Sequence, residues 1–169
     1  MKQEFQMFAA YNNWANRAIY DAGAALSDDE FTRDTGVFFH SLCGTLNHIL
    51  VADRIWLKRF TGRGEAPAAL NTIIHPNFAP LRIARDAEDK RISDWINGLD
   101  EADFAGRFSY TTVTDMRTIS QRLAPALYHF FNHQTHHRGQ ASAVLTMLGQ
   151  PAPNLDLISF QRGEGRPFA

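Results

Sequence analysis

Apolar residues recur every three to four positions in four segments of the chain, which is the spacing of amphipathic helices. Phe5, Phe8 and Ile19 mark the apolar face of the first segment. The second segment is apolar on nearly every side, as is typical of a helix that packs on several neighbours. In the last segment, Pro125 predicts an early kink. We therefore predict four helices, at about Gln3–Ala25, Ser41–Phe60, Leu81–Leu99 and Thr118–Leu148.

The segments between these helices indicate how the helices connect. Residues 62–80 hold three prolines and two glycines, so we expect an irregular connector that is too long for a tight antiparallel hairpin and could cross an end of the bundle. Residues 108–113 are rich in β-branched and aromatic side chains and predict a short strand or hairpin. The last twenty residues are expected to form a tail. The pattern as a whole predicts an all-α fold, a four-helix bundle with a long crossover connection and one short β-hairpin before the last helix, formed by residues 1–169 as a single domain.

Composition narrows the class of protein. The chain has 169 residues, of which 44% are hydrophobic, which is enough for a packed core. Lys and Arg total 17 and Asp and Glu total 18, so no overall charge attracts nucleic acid or an anionic membrane. The longest uncharged stretch, residues 35–52, is interrupted by polar side chains and does not predict a transmembrane helix. With no signal-peptide pattern at the N-terminus, the sequence predicts a cytoplasmic protein without a membrane or nucleic-acid partner.

Histidines are the residues that indicate chemistry. The chain has 7 histidines against the single Cys43, which excludes an internal disulfide framework and a cysteine-based zinc site. His133 and His137 are four residues apart on an apolar helix face, so both imidazoles can converge on one metal ion. His48 is the best third ligand because it is the only histidine inside the second predicted helix. The alternative is that each of the three is a core histidine that hydrogen-bonds to a backbone carbonyl.

The other histidines and the local patterns refine this hypothesis. His129 and His136 lie on another side of the helix, as surface groups or as partners of the ligands. His40 and His75 are interpreted as structural or surface residues. Gln134 stands where the Glu of an H-E-x-x-H protease motif would be, and no Glu-x-x-His pair of a di-iron bundle is present. A mononuclear site with an open coordination position remains.

Several segments spread over nearly the whole chain resemble the DinB/YfiT-like family. The most specific is Phe131–Gln140, which contains the block His-x-x-x-His-Arg-Gly-Gln, and the others are Tyr11–Asn16, Leu46–Ile49 with Asp53 and Trp56, and Gly149–Leu157. The resemblance implies a four-helix bundle, a divalent metal held by three histidines that match His48, His133 and His137, and frequently a homodimer. The family includes thiol-dependent enzymes, among them mycothiol-dependent isomerases and bacillithiol transferases, and many members without an assigned reaction.

These observations lead to the hypothesis of a mononuclear metalloenzyme that acts on a small-molecule substrate. Its ion would lower the pKa of a bound thiol, for transferase chemistry, or of water, for hydrolysis. Zinc is the default metal and nickel its rival, and a low-molecular-weight thiol is a candidate cofactor. The competing interpretation is a binding or structural module in which the metal only stabilises the bundle.

The sequence assigns no general base. For three residues near or after the last predicted helix's histidines, it leaves two roles open. Arg138 is expected either to bind a substrate carboxylate or to form a surface ion pair. Gln140 either orients a ligand histidine or packs between helices. Asp156 is expected to form an ion pair or to cap a helix.

Overall fold

The computed structural model describes residues 1–112 and 116–168 and confirms an all-α architecture. Four long helices form the bundle: α1 (Lys2–Gly23), α3 (Leu42–Thr61), α4 (Phe78–Gly98) and α5 (Leu123–Met147). Two short helices, α2 (Asp28–Thr32) and α6 (Leu157–Arg162), lie outside it, and strands β1 (Arg107–Thr111) and β2 (Thr118–Arg122) pair as one antiparallel hairpin. Short 3₁₀ turns occur at Asp103–Ala105 and Arg166–Phe168. None of the helices in the described ranges is long and apolar enough to cross a membrane.

The directions of the helices explain the long connector. Helix α1 packs between α4 and α5, and α3 packs between the same two helices on the opposite side. Asp53 of α3 pairs with Arg85 of α4, and Phe60 stacks on Trp95 further along both helices, so α3 and α4 run in the same direction. The chain between them must therefore return along the length of the bundle, about 30 Å for a helix of this size. Residues 62–77 are this return segment and form the long crossover predicted for residues 62–80. It runs along the bundle rather than across one end, and residues 78–80 belong to α4.

Local signals set the ends of the helices beside this crossover. The Ser41 side chain accepts a hydrogen bond from the Gly44 backbone N–H at 3.0 Å, which caps the first turn of α3. Gly62 adopts a left-handed conformation with φ of 68° and ends the same helix. A capping box formed by Ser27 and Glu30 begins α2, a helix that the sequence pattern does not predict.

The predicted start of the last helix is wrong, because residues 118–122 form strand β2. Thr118 pairs with Thr111 and Tyr110 with Ile119, so a strand partner is available to these β-branched residues. The helix begins only at Leu123, and Pro125 lies in its first turn, where a missing N–H costs no intrahelical bond and gives no reason for the expected kink. The hairpin itself is confirmed, although residue Val113 of the predicted segment lies outside the described residues.

The predicted tail is not entirely irregular, since it contains α6. Phe160 on this helix is buried against Tyr11 and Trp14 of α1, so the end of the described chain packs on the first helix. Asp156 is the N-cap residue of α6, but its side chain makes no capping hydrogen bond. Of the two roles expected for Asp156, the capping position is confirmed without the side-chain bond.

The interior has two apolar layers with a polar layer between them. One apolar cluster is centred on Leu42, Leu46 and Val144, and the other on Phe5, Ile92 and Phe130. Seven polar or charged side chains from all four long helices are buried between the two clusters: Asn12, Asn16, Asp53, Arg85, Asp89, Gln134 and Arg138. Buried charges are tolerated only when they are paired, which makes the contacts of this layer decisive for the fold.

Candidate metal centre

The antiparallel pair α3 and α5 brings three histidines together. His48 lies in the second turn of α3, and His133 and His137 lie on successive turns of α5. The Nε2 atom of His137 is 3.2 Å from Nε2 of His48 and 3.1 Å from Nε2 of His133. One ring nitrogen from each of the three lies within 4.8 Å of the other two, so the group could hold a metal ion.

Hydrogen bonds at the far side of two of these rings fix where their protons reside. Nδ1 of His48 is 2.8 Å from the carbonyl oxygen of Leu70, and Nδ1 of His137 is 2.7 Å from Oε1 of Gln140. Because both oxygens can only accept, both Nδ1 atoms carry the proton. The Nε2 atoms of His48 and His137 therefore present lone pairs to each other. Two facing lone pairs at this distance repel each other unless a cation lies between them.

The crossover and the loop before α3 hold His48 in place. The neighbouring Asn47 side chain accepts hydrogen bonds from the backbone N–H groups of Ile74 and His75, at 2.8 and 3.0 Å, and donates one to the His75 carbonyl oxygen. The ring of Phe39 stacks on the His48 ring with centroids 3.9 Å apart. The orientation of His48 is thus determined by residues that precede α3 and residues that follow it along the chain.

The environment keeps the three imidazoles neutral. Burial, followed by the charges of His137 and His48, lowers the pKa of His133 to about 3. Burial also lowers the pKa of His137 to about 4, against the raising effect of its hydrogen bond to Gln140. The pKa of His48 is lowered by burial as well. Neutral imidazole is the form that ligates metals, so all three side chains are ready to bind at neutral pH.

The donor set fits a divalent transition metal. Zinc–nitrogen bonds of about 2.0–2.1 Å at a tetrahedral angle place ligand nitrogens about 3.4 Å apart, close to the two separations observed here. Imidazole suits zinc, nickel and copper, and three protein ligands leave a coordination position open. Gln140 accepts the hydrogen bond from Nδ1 of His137 and thereby orients this ring, which is the first of the two roles predicted for Gln140.

The remaining histidines and Cys43 lie outside this group. His136 and His129 are exposed, and their rings lie 4.7 Å from His137 and 5.9 Å from His133. His40 is exposed beside Asp34, and His75 contributes backbone atoms to the Asn47 contacts. Cys43 is buried with its Sγ atom 3.5 Å from the Pro76 carbonyl oxygen, as expected of a small core residue.

Arg138 does not form the predicted surface ion pair, because its side chain is buried with 1% exposure. Its guanidinium donates to Oδ1 of Asn12, to Oδ1 of Asn16 at 3.3 Å and to Thr135 at 3.2 Å. The reason is that α5 turns this residue towards α1 rather than towards solvent. Arg138 belongs to the polar layer, and a role in binding a substrate carboxylate is not supported by its position.

The polar layer forms a closed ring of contacts through all four long helices. Asp53 accepts hydrogen bonds of 2.5 Å from Arg85 and from Gln134, and Arg85 also contacts Asp89 at 2.9 Å. Asn12 and Asn16 donate to Asp89 and accept from Arg138, which is 3.5 Å from Oε1 of Gln134. The ring contains two arginines and two aspartates. Sequence reasoning missed this ring, although six of its seven members occur as pairs four residues apart: Asn12 with Asn16, Arg85 with Asp89, and Gln134 with Arg138.

Comparisons with known proteins show which family and which fold this chain resembles. The family model described as "DinB family" matches residues 1–167. The chain is 23% identical over 152 residues to Protein DinB of Bacillus subtilis (strain 168), covering 86% of this chain and 87% of that protein. It also resembles the crystal structure of a DinB-like protein from Bacillus cereus, with a TM-score of 0.64 and 16% identity over 86% of this chain and 91% of the other. At that identity, the structural likeness shows a shared fold.

Proposed function

Because this chain belongs to the DinB family, we propose that it is a mononuclear metal-dependent enzyme whose ion is held by His48, His133 and His137. The observation that carries the proposal is the pair of Nε2 lone pairs of His48 and His137, which face each other at 3.2 Å while both Nδ1 protons are engaged elsewhere. Buried lone pairs in such contact are costly unless a cation lies between them. A satisfied core histidine would instead direct a proton at its neighbour.

The protein's own residues perform the positioning in this proposal. When bound, the ion supplies a Lewis acid that lowers the pKa of a thiol or a water at the open position. Leu70 and Gln140 hold the rings of His48 and His137 so that Nε2 faces the centre. Phe39 covers one face of the His48 ring and excludes water from it. No carboxylate stands among these contacts as a general base, which favours a nucleophile activated by the metal alone.

Thiol transfer is the reaction we propose first, with a small-molecule electrophile as the substrate and a low-molecular-weight thiol as the cosubstrate. Thiolate is a strong nucleophile that needs no further base once its proton is lost. Zinc is the proposed metal, with nickel as the rival, because three imidazoles suit both and cellular supply decides between them. A cytoplasmic homodimer remains part of the proposal, on the basis of the family resemblance.

Metal analysis of protein purified without a histidine tag tests the proposal directly. We expect about one divalent ion per chain, its loss in His133→Ala, and its retention in His136→Ala, which removes an exposed histidine from the same helix. Absence of metal from the unmodified protein, together with unchanged stability of His133→Ala, would refute the metal centre.

The reaction is tested separately with the metal-loaded protein. Conjugation of a model electrophile with a panel of small thiols should require both the metal and the thiol. Ester hydrolysis without any thiol would indicate a hydrolase instead. If a loaded protein shows neither reaction but unfolds when the metal is removed, the metal has a structural role only.

A further inference from the structure

The last two turns of α3 border a cavity that lies on the same helix face as His48. Ile55, Arg59 and Gly62 follow His48 at intervals of seven, eleven and fourteen residues, which share one face of a helix. The cavity has a volume of about 410 Å³ and opens to the surface, and it is lined as well by Ala66 and Pro67 of the crossover and by Tyr110 of β1. That volume is within the range of small-molecule sites.

Arg59 is held in this cavity by two aromatic rings. Its Cζ atom lies 4.6 Å from the centroid of Trp56 and 4.5 Å from that of Tyr110. Within residues 1–112 and 116–168, no hydrogen-bond acceptor or carboxylate pairs with its guanidinium, whereas Arg85 and Arg138 are both hydrogen-bonded. Burial lowers the pKa of Arg59, which reflects a cation partly removed from water without a counter-charge. Lys58 adds a second cation to the cavity lining.

Ring contacts connect this cavity to the histidine centre. The Trp56 ring lies 5.1 Å from His129, and His129 lies 5.9 Å from His133. The crossover follows the same route, since Pro67 lines the cavity and the Leu70 carbonyl oxygen binds His48. At 1.5 Å per residue, His48 and Arg59 are about 16 Å apart along the helix axis, and Arg59 leans back over Trp56 towards His48.

We propose that the Arg59 cavity binds the oxyanion end, a carboxylate or a phosphate, of an elongated small molecule whose other end reaches the histidine centre. This inference rests on the proposed function only for the chemical group at the end that reaches the histidine centre. The planar guanidinium forms two parallel hydrogen bonds with such a group, and the rings of Trp56 and Tyr110 hold it in place before the ligand arrives. A partly desolvated cation without an anionic partner gains more from a bound anion than one that is already paired.

Anion binding by the metal-free protein tests the cavity by itself. Inorganic phosphate and the dicarboxylate suberate are titrated separately into protein labelled for NMR. The side-chain N–H signals of Arg59 and of Trp56 are followed, because Trp56 contacts Arg59 and remains in the Arg59→Met variant. We expect both signals to shift with a saturable dependence on at least one anion, and the anion that binds more tightly identifies the preferred oxyanion. Arg59→Met should weaken that binding about tenfold or more, while Arg162→Met, which removes an exposed arginine on α6, should not. Binding that is equal in Arg59→Met and the unmodified protein overturns the proposal.

The span is tested with the cobalt-loaded protein, in which thiolate coordination gives a visible absorption band. Mercaptooctanoate should bind about tenfold or more tightly than mercaptooctanol, its uncharged counterpart of equal length. This preference should vanish in Arg59→Met. The affinity for mercaptopropionate, which is too short to reach Arg59, should be the same in the variant and the unmodified protein. If Arg59→Met prefers mercaptooctanoate over mercaptooctanol as strongly as the unmodified protein does, the proposed span is wrong.

The two experiments separate the two proposals. If cobalt or thiol fails to bind while the metal-free protein binds an anion through Arg59, the cavity stands and the proposed function fails. If thiols bind to cobalt but the binding of phosphate and of suberate does not depend on Arg59, the proposed function stands and the inference about the cavity is wrong.

Discussion

Nδ1 of His48 donates a hydrogen bond of 2.8 Å to the main-chain carbonyl oxygen of Leu70, and this bond makes the crossover part of the histidine centre. The crossover supplies none of the three imidazoles, yet it decides which nitrogen of His48 bears the proton. The contacts of Asn47 with Ile74 and His75 hold the same segment one residue earlier on α3. Changes in the support of His48 should therefore affect metal affinity as well as stability.

Gly44 provides one such change, because it lies under the loop that carries Phe39. A Cβ atom at this position would be 2.0 Å from the Phe39 carbonyl oxygen, so the backbone of the loop must move. We expect Gly44→Ala to lower the free energy of unfolding by about 1–3 kcal/mol and to weaken metal binding by moving Phe39 off the His48 ring. Urea unfolding and metal titration measure the two effects.

Gly139→Ala is the matched control, since Gly139 is also within a long helix and a Cβ atom there meets nothing. It should be neutral or stabilise the protein by up to about 1 kcal/mol. Equal behaviour of the two variants would contradict the supporting role of the loop.

Gln140 should control metal affinity through His137. Gln140→Leu removes the acceptor for the Nδ1 proton, and we expect metal affinity to fall about 10–100-fold. Gln140→Glu retains an acceptor and should preserve most of the affinity. Competition with a chromophoric chelator measures both variants. A Leu variant that binds as tightly as the unmodified protein would show that Gln140 only packs against its neighbours.

The stability of the metal-free protein should decrease in mild acid. The pKa values of His133 and His137 are about 3 and 4 in the folded protein, whereas an unperturbed histidine titrates near 6.5. Between these values the unfolded chain binds more protons, so the free energy of unfolding falls as the pH is lowered from about 6.5 towards 4. Urea unfolding after removal of the metal by chelation, at about pH 7 and pH 5, measures this difference.

His133→Phe provides the comparison for this pH dependence. The variant lacks one of the titrating groups and should lose less stability over the same interval. NMR of the ring protons adds an independent measurement, because the His133 signal should not titrate near neutral pH. An unchanged pH dependence in the variant, with a His133 pKa near 6.5, would contradict the neutral, buried state of this ring.

The buried ring of charges predicts a large difference between two arginines of α4. Arg85→Met leaves Asp53 and Asp89 buried without their cation and should cost about 3–5 kcal/mol. Arg82→Met breaks an ion pair of 2.5 Å with Asp21 at the surface and should cost less than about 1 kcal/mol. Chemical denaturation compares the two variants directly. Similar losses in both would mean that burial does not govern the energy of the ring.

The parts of the site that follow from helix periodicity could be predicted from the sequence. The side chains of His133 and His137 converge because residues four apart share a helix face, whatever surrounds them. The choice of His48 required information beyond periodicity, because periodicity within α3 does not show which face of that helix meets α5. Its selection depended on its being the only histidine within that helix and on the family resemblance, and the structure brings it to the other two.

Other features depend on contacts between distant segments and could not be predicted. Arg138 has the same sequence context whether α5 turns it to solvent or towards Asn12, and only the packing of α1 decides. Residues 118–122 carry no signal that excludes a helix, but their pairing with residues 107–111 satisfies the backbone as a strand. The common direction of α3 and α4 is likewise a tertiary property, which the length of residues 62–77 only suggested.

The contact of His48 with the crossover also bears on how this protein can evolve. A main-chain carbonyl is common to every amino acid, and Leu70 is 43% exposed, so substitutions at this position leave the acceptor in place. Insertions or deletions between Gly62 and Leu70 are different, because they shift the carbonyl relative to the helix. Across homologues, residue 70 should therefore vary in identity while selection preserves the number of residues between Gly62 and this position.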